Sequence, residues 1–114
     1  MTYLTITRID GDPEQLLAGY RQTADVMDGV GRDHDLIAHL AAATDDGLTI
    51  INVWPSREHS EQAAGDSRRL AVVAGHQLRP DQIRKEHHEV DRLVLFAPAP
   101  PGSGFETRAL AVDS

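Results

Sequence analysis

Residues 47–58 constrain the fold of this chain more than any other segment. They read GLTIINVWPSRE, an apolar run that ends at Pro55 and leads directly into a serine suited to cap a helix. Successive side chains of a β-strand point to opposite faces of its sheet, so a strand with apolar residues at both alternations needs cover on both faces. The segment therefore predicts a buried strand in a layered α/β structure, followed by a helix whose cap is Ser56.

Six elements in the order β-α-β-β-α-β are predicted from the spacing of apolar residues along the chain. The predicted strands cover residues 3–9, 34–43, 48–54 and 90–96, the predicted helices cover residues 13–31 and 56–75, and a further helical turn is expected over residues 80–85. Asp12 is suited to cap the first helix. The turn sequence Asp45-Asp46-Gly47 is expected to join the second and third strands as a hairpin.

This order is the split arrangement of an α+β, ferredoxin-like fold, in which a four-stranded antiparallel sheet carries both helices on one face. We expect one such domain over residues 1–96. Residues 97–114 open with the run APAPPGSG and predict a Pro/Gly linker and a C-terminal tail, which we expect to be exchanged with a partner subunit. Because the third and fourth predicted strands are apolar on both faces, a second copy is expected to cover the open sheet face, forming a homodimer.

The composition narrows the partners of the chain. It has 11 basic and 18 acidic residues, and the resulting net charge of −7 disfavours nucleic acid, whose phosphates carry the same sign. No apolar stretch approaches the roughly 20 residues of a membrane helix, so no membrane partner is expected. The chain has no cysteine, which excludes thiolate chemistry and fits a reducing, cytoplasmic location.

The element order, the first strand at the N-terminus and the segment NVWPSRE at residues 52–58 resemble the dimeric α/β-barrel proteins, especially the antibiotic-biosynthesis-monooxygenase-like branch. In that branch the strand commonly ends in a Trp-Glu-Ser-x-Glu pattern. The resemblance covers residues 1–96 and implies two ferredoxin-like sheets paired as a dimeric barrel, with a ligand between the helices and the sheet of each subunit. The branch includes cofactor-independent quinone-forming oxygenases, haem-degrading oxygenases and polyketide cyclases.

The chain departs from that branch in two ways that bear on its chemistry. The branch usually places aromatic residues on the buried side of the second helix. In this chain the corresponding residues are small or polar, namely His59, Ser60, Ala63 and Ala64. This difference predicts either a larger pocket or a helix that packs closer to the sheet. Haem-degrading members use an asparagine where Thr7 stands, a tryptophan that the second helix lacks, and an iron-ligating histidine whose place precedes His76. Haem degradation is therefore disfavoured, and we expect no cofactor.

His76 is the candidate catalytic residue, because it lies near the end of the second helix, where cavities open in the branch, and imidazole transfers protons near neutrality. The alternative is that its charge simply complements the helix dipole. A composite metal site formed by His39, His59 and His76 is also conceivable, but nothing in their spacing favours it, so no metal is expected.

The candidate substrate-binding residues are Tyr3, Thr7, Asn52, Trp54 and His59. Asn52 and Trp54 share one face of the third strand, where an amide beside a flat indole suits an aromatic ligand. Trp54 is alternatively a core residue and Asn52 a partner of nearby backbone. Tyr3 and Thr7 place hydroxyls on one face of the first strand, although threonine is also a good strand former. His59 belongs to the buried side of the second helix.

Three functions remain open from these residues. The first is a small enzyme without a bound cofactor, similar to an oxygenase or cyclase, that acts on an aromatic or polyketide-like molecule. The second is a small-molecule-binding dimer without catalysis. The third is a structural dimer whose pocket is filled by side chains. An accessible cavity with an ionisable group inside is required only by the first, and an accessible cavity alone by the second.

Overall fold

A computed structural model describes residues 1–96 as a four-stranded antiparallel sheet packed against three α-helices. The strands are β1 Tyr3–Asp10, β2 Ala38–Thr44, β3 Gly47–Trp54 and β4 Ile83–Glu89, in the sheet order β2-β3-β1-β4. The helices are α1 Pro13–Asp33, α2 Arg57–Ala64 and α3 Ser67–His76. The predicted α+β, ferredoxin-like fold is confirmed. The predicted linker and exchanged tail at residues 97–114 lie outside the described residues.

The buried strand and the hairpin are also confirmed. β3 lies between β2 and β1, and the two strands of the hairpin are joined by a turn from Thr44 to Gly47. A Cβ atom at Gly47 would overlap the backbone carbonyl oxygen of Ile9 on β1. The hairpin therefore requires a glycine at this position, because only glycine lets the two backbones approach so closely.

The prediction of the fourth strand over residues 90–96 is wrong. The strand that pairs with β1 is β4, and its register runs from Ile83 opposite Ile9 to Glu89 opposite Tyr3. The helical turn predicted before it is confined to the 3₁₀ segment Pro80–Gln82. β4 has the polar sequence IRKEHHE and lies at an edge of the sheet. An edge strand is held by backbone hydrogen bonds on one side and commonly carries charged residues, so it needs no apolar pattern.

The second helix was predicted as one element and is divided into α2 and α3. The Oγ atom of Ser56 accepts a hydrogen bond from the His59 amide at 3.2 Å, as the predicted cap requires. A second cap follows at Asp66, whose Oδ1 accepts from the Arg68 amide at 2.9 Å. Because an aspartate side chain satisfies the first free amides of a helix, Asp66 starts a second helix after the break at Gly65.

Asp66 also ties α3 to the end of α1. Its carboxylate lies 3.0 Å from Nε2 of His34 and accepts a hydrogen bond from the Arg68 guanidinium at 2.8 Å. Arg68 pairs at the same time with Asp33 at 2.9 Å. The side-chain bonds from Arg68 and then from His34 hold the pKa of Asp66 well below its usual range.

The first helix begins where it was predicted but continues further. Oδ2 of Asp12 accepts a hydrogen bond from the Gln15 amide at 2.9 Å. The helix then passes through the glycines expected to end it and stops at Asp33. A Cβ atom at Gly31 would lie 2.8 Å from Leu36, so this glycine makes room for a side chain. The second strand accordingly starts at Ala38, later than predicted.

The core is small and lies between α1, α2 and the inner face of the sheet. It contains the buried residues Tyr3, Val30, Trp54 and Ala63, with Met27 and Leu36 packed against them. None of the helices in residues 1–96 is long and apolar enough to cross a membrane.

The sheet face turned away from the helices, here called the outer face, is mixed in character. β1, β2 and β3 contribute apolar residues to it: Leu4, Ile6, Leu40, Ile51 and Val53. Leu40 is 55% exposed. An ion pair between Arg8 and Glu86 crosses from β1 to β4 on the same face. The apolar outer residues of β3 therefore still support a homodimer, whereas the fourth strand, which was predicted to be apolar on both faces, no longer does.

Candidate functional site

A cavity of about 500 Å³ lies between the helices and the inner face of the sheet. Its floor is formed by alternate residues of β1 and β3, and its cover by side chains of α1 and α3. Most of its wall is apolar, and the principal apolar residues are Leu16, Met27, Leu48, Ile50, Trp54, Val72, Val73 and Ile83. A concave, largely apolar site with a few placed polar groups is typical of small-molecule binding.

Three side chains in this wall form a hydrogen-bonded chain, the Tyr20–His39–Asn52 chain. Oη of Tyr20 lies 2.5 Å from Nε2 of His39, and Nδ1 of the same imidazole lies 2.6 Å from Oδ1 of Asn52. The phenol and imidazole rings stack, with centroids 5.9 Å apart and an angle of 12° between the planes. The three residues come from α1, β2 and β3, so the chain links the helical layer to the sheet.

The partners of His39 bear on the tautomer of its ring. Oδ1 of Asn52 only accepts hydrogen bonds, so in this amide orientation the contact requires a hydrogen on Nδ1 of His39. In the neutral imidazole Nε2 is then the basic nitrogen, and it accepts the hydrogen of the Tyr20 hydroxyl. Tyr20 can pass its proton to Nε2 while it takes one from a ligand, so the chain can act as a general base.

The three residues of the Tyr20–His39–Asn52 chain differ in exposure. His39 is exposed on the edge strand β2, whereas Tyr20 and Asn52 are half-buried. His39 is therefore in contact with solvent, and Tyr20 lines the cavity.

His76 occupies a different part of the wall. It ends α3 and packs on α1, where its ring lies 3.3 Å from the position that a Cβ atom at Gly19 would take. Its Nε2 lies 3.5 Å from Oγ1 of Thr23. Because Gly19 has no side chain, it leaves room for the imidazole of His76 in the cavity wall.

The other predicted site residues are distributed between the cavity and its surroundings. Thr7, Asn52 and Trp54 line the cavity together with His76, and Nε1 of Trp54 donates to Oγ1 of Thr5 at 3.4 Å. Tyr3 lies in the buried core cluster. His59 bonds Oγ of Ser56 at 2.7 Å through Nδ1 and lies 3.5 Å from Asp35 through Nε2. The roles assigned to these residues stay predictions.

Sequence reasoning did not place Tyr20 or His39 among the catalytic or substrate-binding candidates, and it considered His39 only for a composite metal site. Tyr20 has helical spacing with apolar residues and was assigned to the core. The hairpin turn at residues 45–46 could have paired His39 with Asn52, because a two-residue turn there places them directly opposite each other, whereas the position of Tyr20 depends on how α1 packs.

Two cations also line the cavity, Arg69 of α3 and Lys85 of β4. Burial lowers the pKa of the Arg69 guanidinium. Partial loss of hydration lowers the pKa of the Lys85 ammonium as well, although this residue is exposed, and repulsion from Arg69 lowers it further. Both effects arise because removal from water and a like charge disfavour the protonated form.

Within residues 1–96, no three His, Asp or Glu side chains form a group that could hold a metal ion. The three histidines considered for a composite metal site have separate partners. His39 bonds Tyr20 and Asn52, whereas His59 bonds Ser56 and His76 lies beside Thr23.

Comparisons with known proteins show which fold class this is. No protein-family model matches the chain, and no curated protein matches it. The structure superposes on a conserved protein from Methanosarcina mazei Go1 with a TM-score of 0.64 at 8% identity, over 77% of this chain and 91% of that one. An antibiotic biosynthesis monooxygenase matches with a TM-score of 0.59 at 10% identity, over 79% of this chain and 98% of that one.

SnoaB, a cofactor-independent oxygenase from Streptomyces nogalater, matches with a TM-score of 0.54 at 16% identity, over 82% of this chain and 94% of that one. These structural neighbours are antibiotic-biosynthesis-monooxygenase-like proteins. The chain therefore has the fold of that class, as the segment at residues 52–58 implied.

Proposed function

We propose that this protein is a cofactor-independent, oxygenase- or cyclase-like enzyme that acts on an aromatic or polyketide-like small molecule in the cavity. The observation that carries the proposal is the Tyr20–His39–Asn52 chain in the wall of a largely apolar cavity. It supplies a base where a flat ligand would sit. The description of SnoaB as a cofactor-independent oxygenase supports the reaction type.

The first step is removal of a proton from an acidic hydroxyl or an activated CH₂ group of the ligand. Oη of Tyr20 takes this proton while its own hydrogen passes to Nε2 of His39. The imidazolium that forms is held by Oδ1 of Asn52 through the hydrogen on Nδ1. The product of this step is a ligand anion in a largely apolar cavity, where little water remains to stabilise it.

The oxygenase reaction then needs only O₂ as oxidant. The ligand anion transfers an electron to O₂, and the two radicals combine as a peroxide anion on the ring carbon. The imidazolium of His39 returns its proton through Tyr20 and gives the hydroperoxide. Loss of the remaining C–H proton with cleavage of the O–O bond leaves a carbonyl and one molecule of water. A CH₂ group and O₂ are thus converted to C=O and H₂O, and the electrons lost by carbon are those gained by oxygen.

The cyclase reaction would use the same anion without O₂. A carbanion formed by the chain would attack a carbonyl carbon of the ligand, and the proton held by His39 would go to the alkoxide oxygen. Either reaction depends on the base and on the orientation of a flat ligand.

The predicted site residues have places in this scheme. Trp54 would stack on the ligand, and Thr7 and Asn52 would orient its oxygen atoms. Tyr3 packs in the same core cluster as Trp54 and would hold it in position. His76 is the second candidate for proton transfer because it lines the same cavity.

The test uses a hydroxylated anthrone, whose CH₂ group would become a quinone carbonyl. Oxygen consumption and quinone absorbance are measured for the wild type, Tyr20→Phe, His39→Gln and His76→Gln. The matched control is His88→Gln, a histidine whose Nε2 lies 3.3 Å from Glu86 outside the cavity. We expect kcat to fall at least about tenfold in the first two variants with little change in KM, as loss of a general base requires.

Each other outcome identifies a different conclusion. Equal kcat values for His39→Gln and His88→Gln would refute the role of the Tyr20–His39–Asn52 chain. A loss of kcat confined to His76→Gln would identify His76 as the general base instead. If the anthrone quenches Trp54 fluorescence but is not consumed, the protein binds ligands without this catalysis. If neither anthrones nor polyketides quench Trp54, the structural role is favoured.

His59 is proposed to contribute to ligand binding from α2, next to the buried Ser60 of the cavity wall. We further propose that the working form is a cytoplasmic homodimer. The absence of cysteine supports the compartment. The dimer is supported by the exposed Leu40 on the outer face, together with Leu95 and Phe96, which are 62% and 83% exposed just beyond β4.

A further inference from the structure

We infer that the natural ligand carries a carboxylate or another anionic oxygen group, which is bound by Arg69 and Lys85. The inference rests on the proposed function, because it assigns a second part to the same ligand. Arg69 and Lys85 would bind the polar end of the ligand, and the Tyr20–His39–Asn52 chain would act on its reactive end.

The two cations are unusual in their surroundings. Both line a largely apolar cavity, whose wall also includes the acidic residues Asp12 and Asp28, in a chain whose net charge is −7. Within residues 1–96 neither forms an ion pair with an acidic side chain, whereas the neighbouring Arg68 pairs with both Asp33 and Asp66. Arg69 is half-buried and Lys85 is exposed, and the repulsion between them is weakened when an anion binds to both.

Local structure holds the cations toward the cavity. Nη1 of Arg69 donates to the carbonyl oxygen of Ala64 at 2.9 Å, which fixes the guanidinium at the C-terminal end of α2. Lys85 stands opposite Thr7 in the register of β4 and β1, so a hydroxyl lies beside the ammonium on the inner face. The guanidinium keeps further N–H donors, and a guanidinium fork matches the two oxygens of a carboxylate.

The position of the cations sets the length and direction of the ligand. His39 lies on β2 and Lys85 on β4, the two opposite edges of the sheet. Neighbouring strands are about 4.8 Å apart, so three strand spacings separate these residues by roughly 14 Å across the sheet. A ligand that reaches both ends must be elongated, as a molecule of several fused rings is, with its acidic group at the β4 end and its reactive carbon at the β2 end.

The test compares anthraquinone-2-carboxylate with the corresponding neutral carboxamide, which has nearly the same shape. Dissociation constants are measured by calorimetry for the wild type, Lys85→Met, Arg69→Met and the double variant. The matched control is Arg84→Met, which removes a cation from the same strand, where Arg84 pairs with Asp10 outside the cavity at 3.0 Å.

We expect the wild type and Arg84→Met to bind the carboxylate at least about tenfold more tightly than the carboxamide, and added salt to reduce this preference. The double variant should bind both compounds equally, with an unchanged affinity for the carboxamide. Lys85→Arg should keep the preference, because it keeps the charge. If Arg69→Met does not fold, Lys85→Met and Lys85→Arg provide the same comparison.

Equal binding of the two compounds by the wild type would overturn the anion site and leave the proposed function intact. A carboxylate preference retained in the double variant would overturn it as well. If neither compound binds, the anion site is refuted, and if the anthrone also leaves Trp54 fluorescence unchanged, the aromatic ligand of the proposed function is refuted with it.

Discussion

Replacement of Trp54 by alanine tests the double position of this residue, in the core and in the cavity wall. Trp54 is 6% exposed and belongs to the cluster with Tyr3, Val30 and Ala63. A tryptophan of this kind buries up to about 250 Å², of which alanine would retain only a small part. At about 25 cal/mol per Å², a loss of about 200 Å² corresponds to about 5 kcal/mol.

Two features of the structure lower this upper limit. The unfolded chain already hides roughly a fifth or more of its apolar surface, which reduces the contribution to about 4 kcal/mol. Trp54 also lines the existing cavity, so its removal enlarges that space and creates no separate void. We therefore expect Trp54→Ala to reduce the free energy of unfolding by about 3 to 4 kcal/mol, within the usual range for such changes.

Urea denaturation followed by far-UV circular dichroism measures this loss, since the variant has no tryptophan emission. With a slope of about 1.5 to 2 kcal/mol per molar urea, the midpoint should fall by roughly 2 M. Trp54→Phe keeps an aromatic ring in the cluster and should lose less than half as much. A loss below about 1 kcal/mol for Trp54→Ala would refute the reasoning and assign Trp54 to ligand contact alone.

Three further predictions concern the hairpin, the helix junction and the assembly. Gly47→Ala should cost about 3 kcal/mol or more in urea melts, since its Cβ would overlap the Ile9 carbonyl oxygen, and a loss below about 1 kcal/mol would contradict that contact. Asp66→Asn keeps a capping side chain and loses the charge. Because the pKa of Asp66 is lowered on folding, its charge stabilises the folded protein fully above the ordinary aspartate pKa of about 3.9. This stabilisation declines as the pH falls below that value. The stability difference between wild type and Asp66→Asn should therefore shrink in acid, and a difference independent of pH would contradict the ion network. Leu40→Lys should convert the proposed homodimer into a monomer in light scattering, whereas a wild type that is monomeric at micromolar concentration would refute the dimer.

The sequence predicted those parts of the fold whose signals are local. The apolar run of β3, the cap at Asp12, the cap at Ser56 and the turn before Gly47 each act over a few residues, and each is found where it was expected. Together with the element order they were sufficient for the ferredoxin-like fold.

The errors occur where partners distant in the chain decide the structure. β4 is a strand because the backbone of β1 is available to it, although its sequence IRKEHHE has no apolar pattern. The fourth strand was therefore predicted at residues 90–96, which are more apolar. In the same way α1 continues through Gly31, because Leu36 fills the space that the glycine leaves.

The candidate site likewise contains parts that local sequence patterns predict and parts that depend on tertiary packing. Residue types and strand alternation were enough to bring Thr7, Asn52 and Trp54 to one cavity wall. The hydrogen bond between Tyr20 and His39 joins residues from different elements, and so does the presence of Arg69 and Lys85 in one cavity wall. Helical or strand periodicity describes each of these residues only within its own element. Their chemistry was decided by the packing of α1 and α3 over the sheet, which a local pattern does not contain.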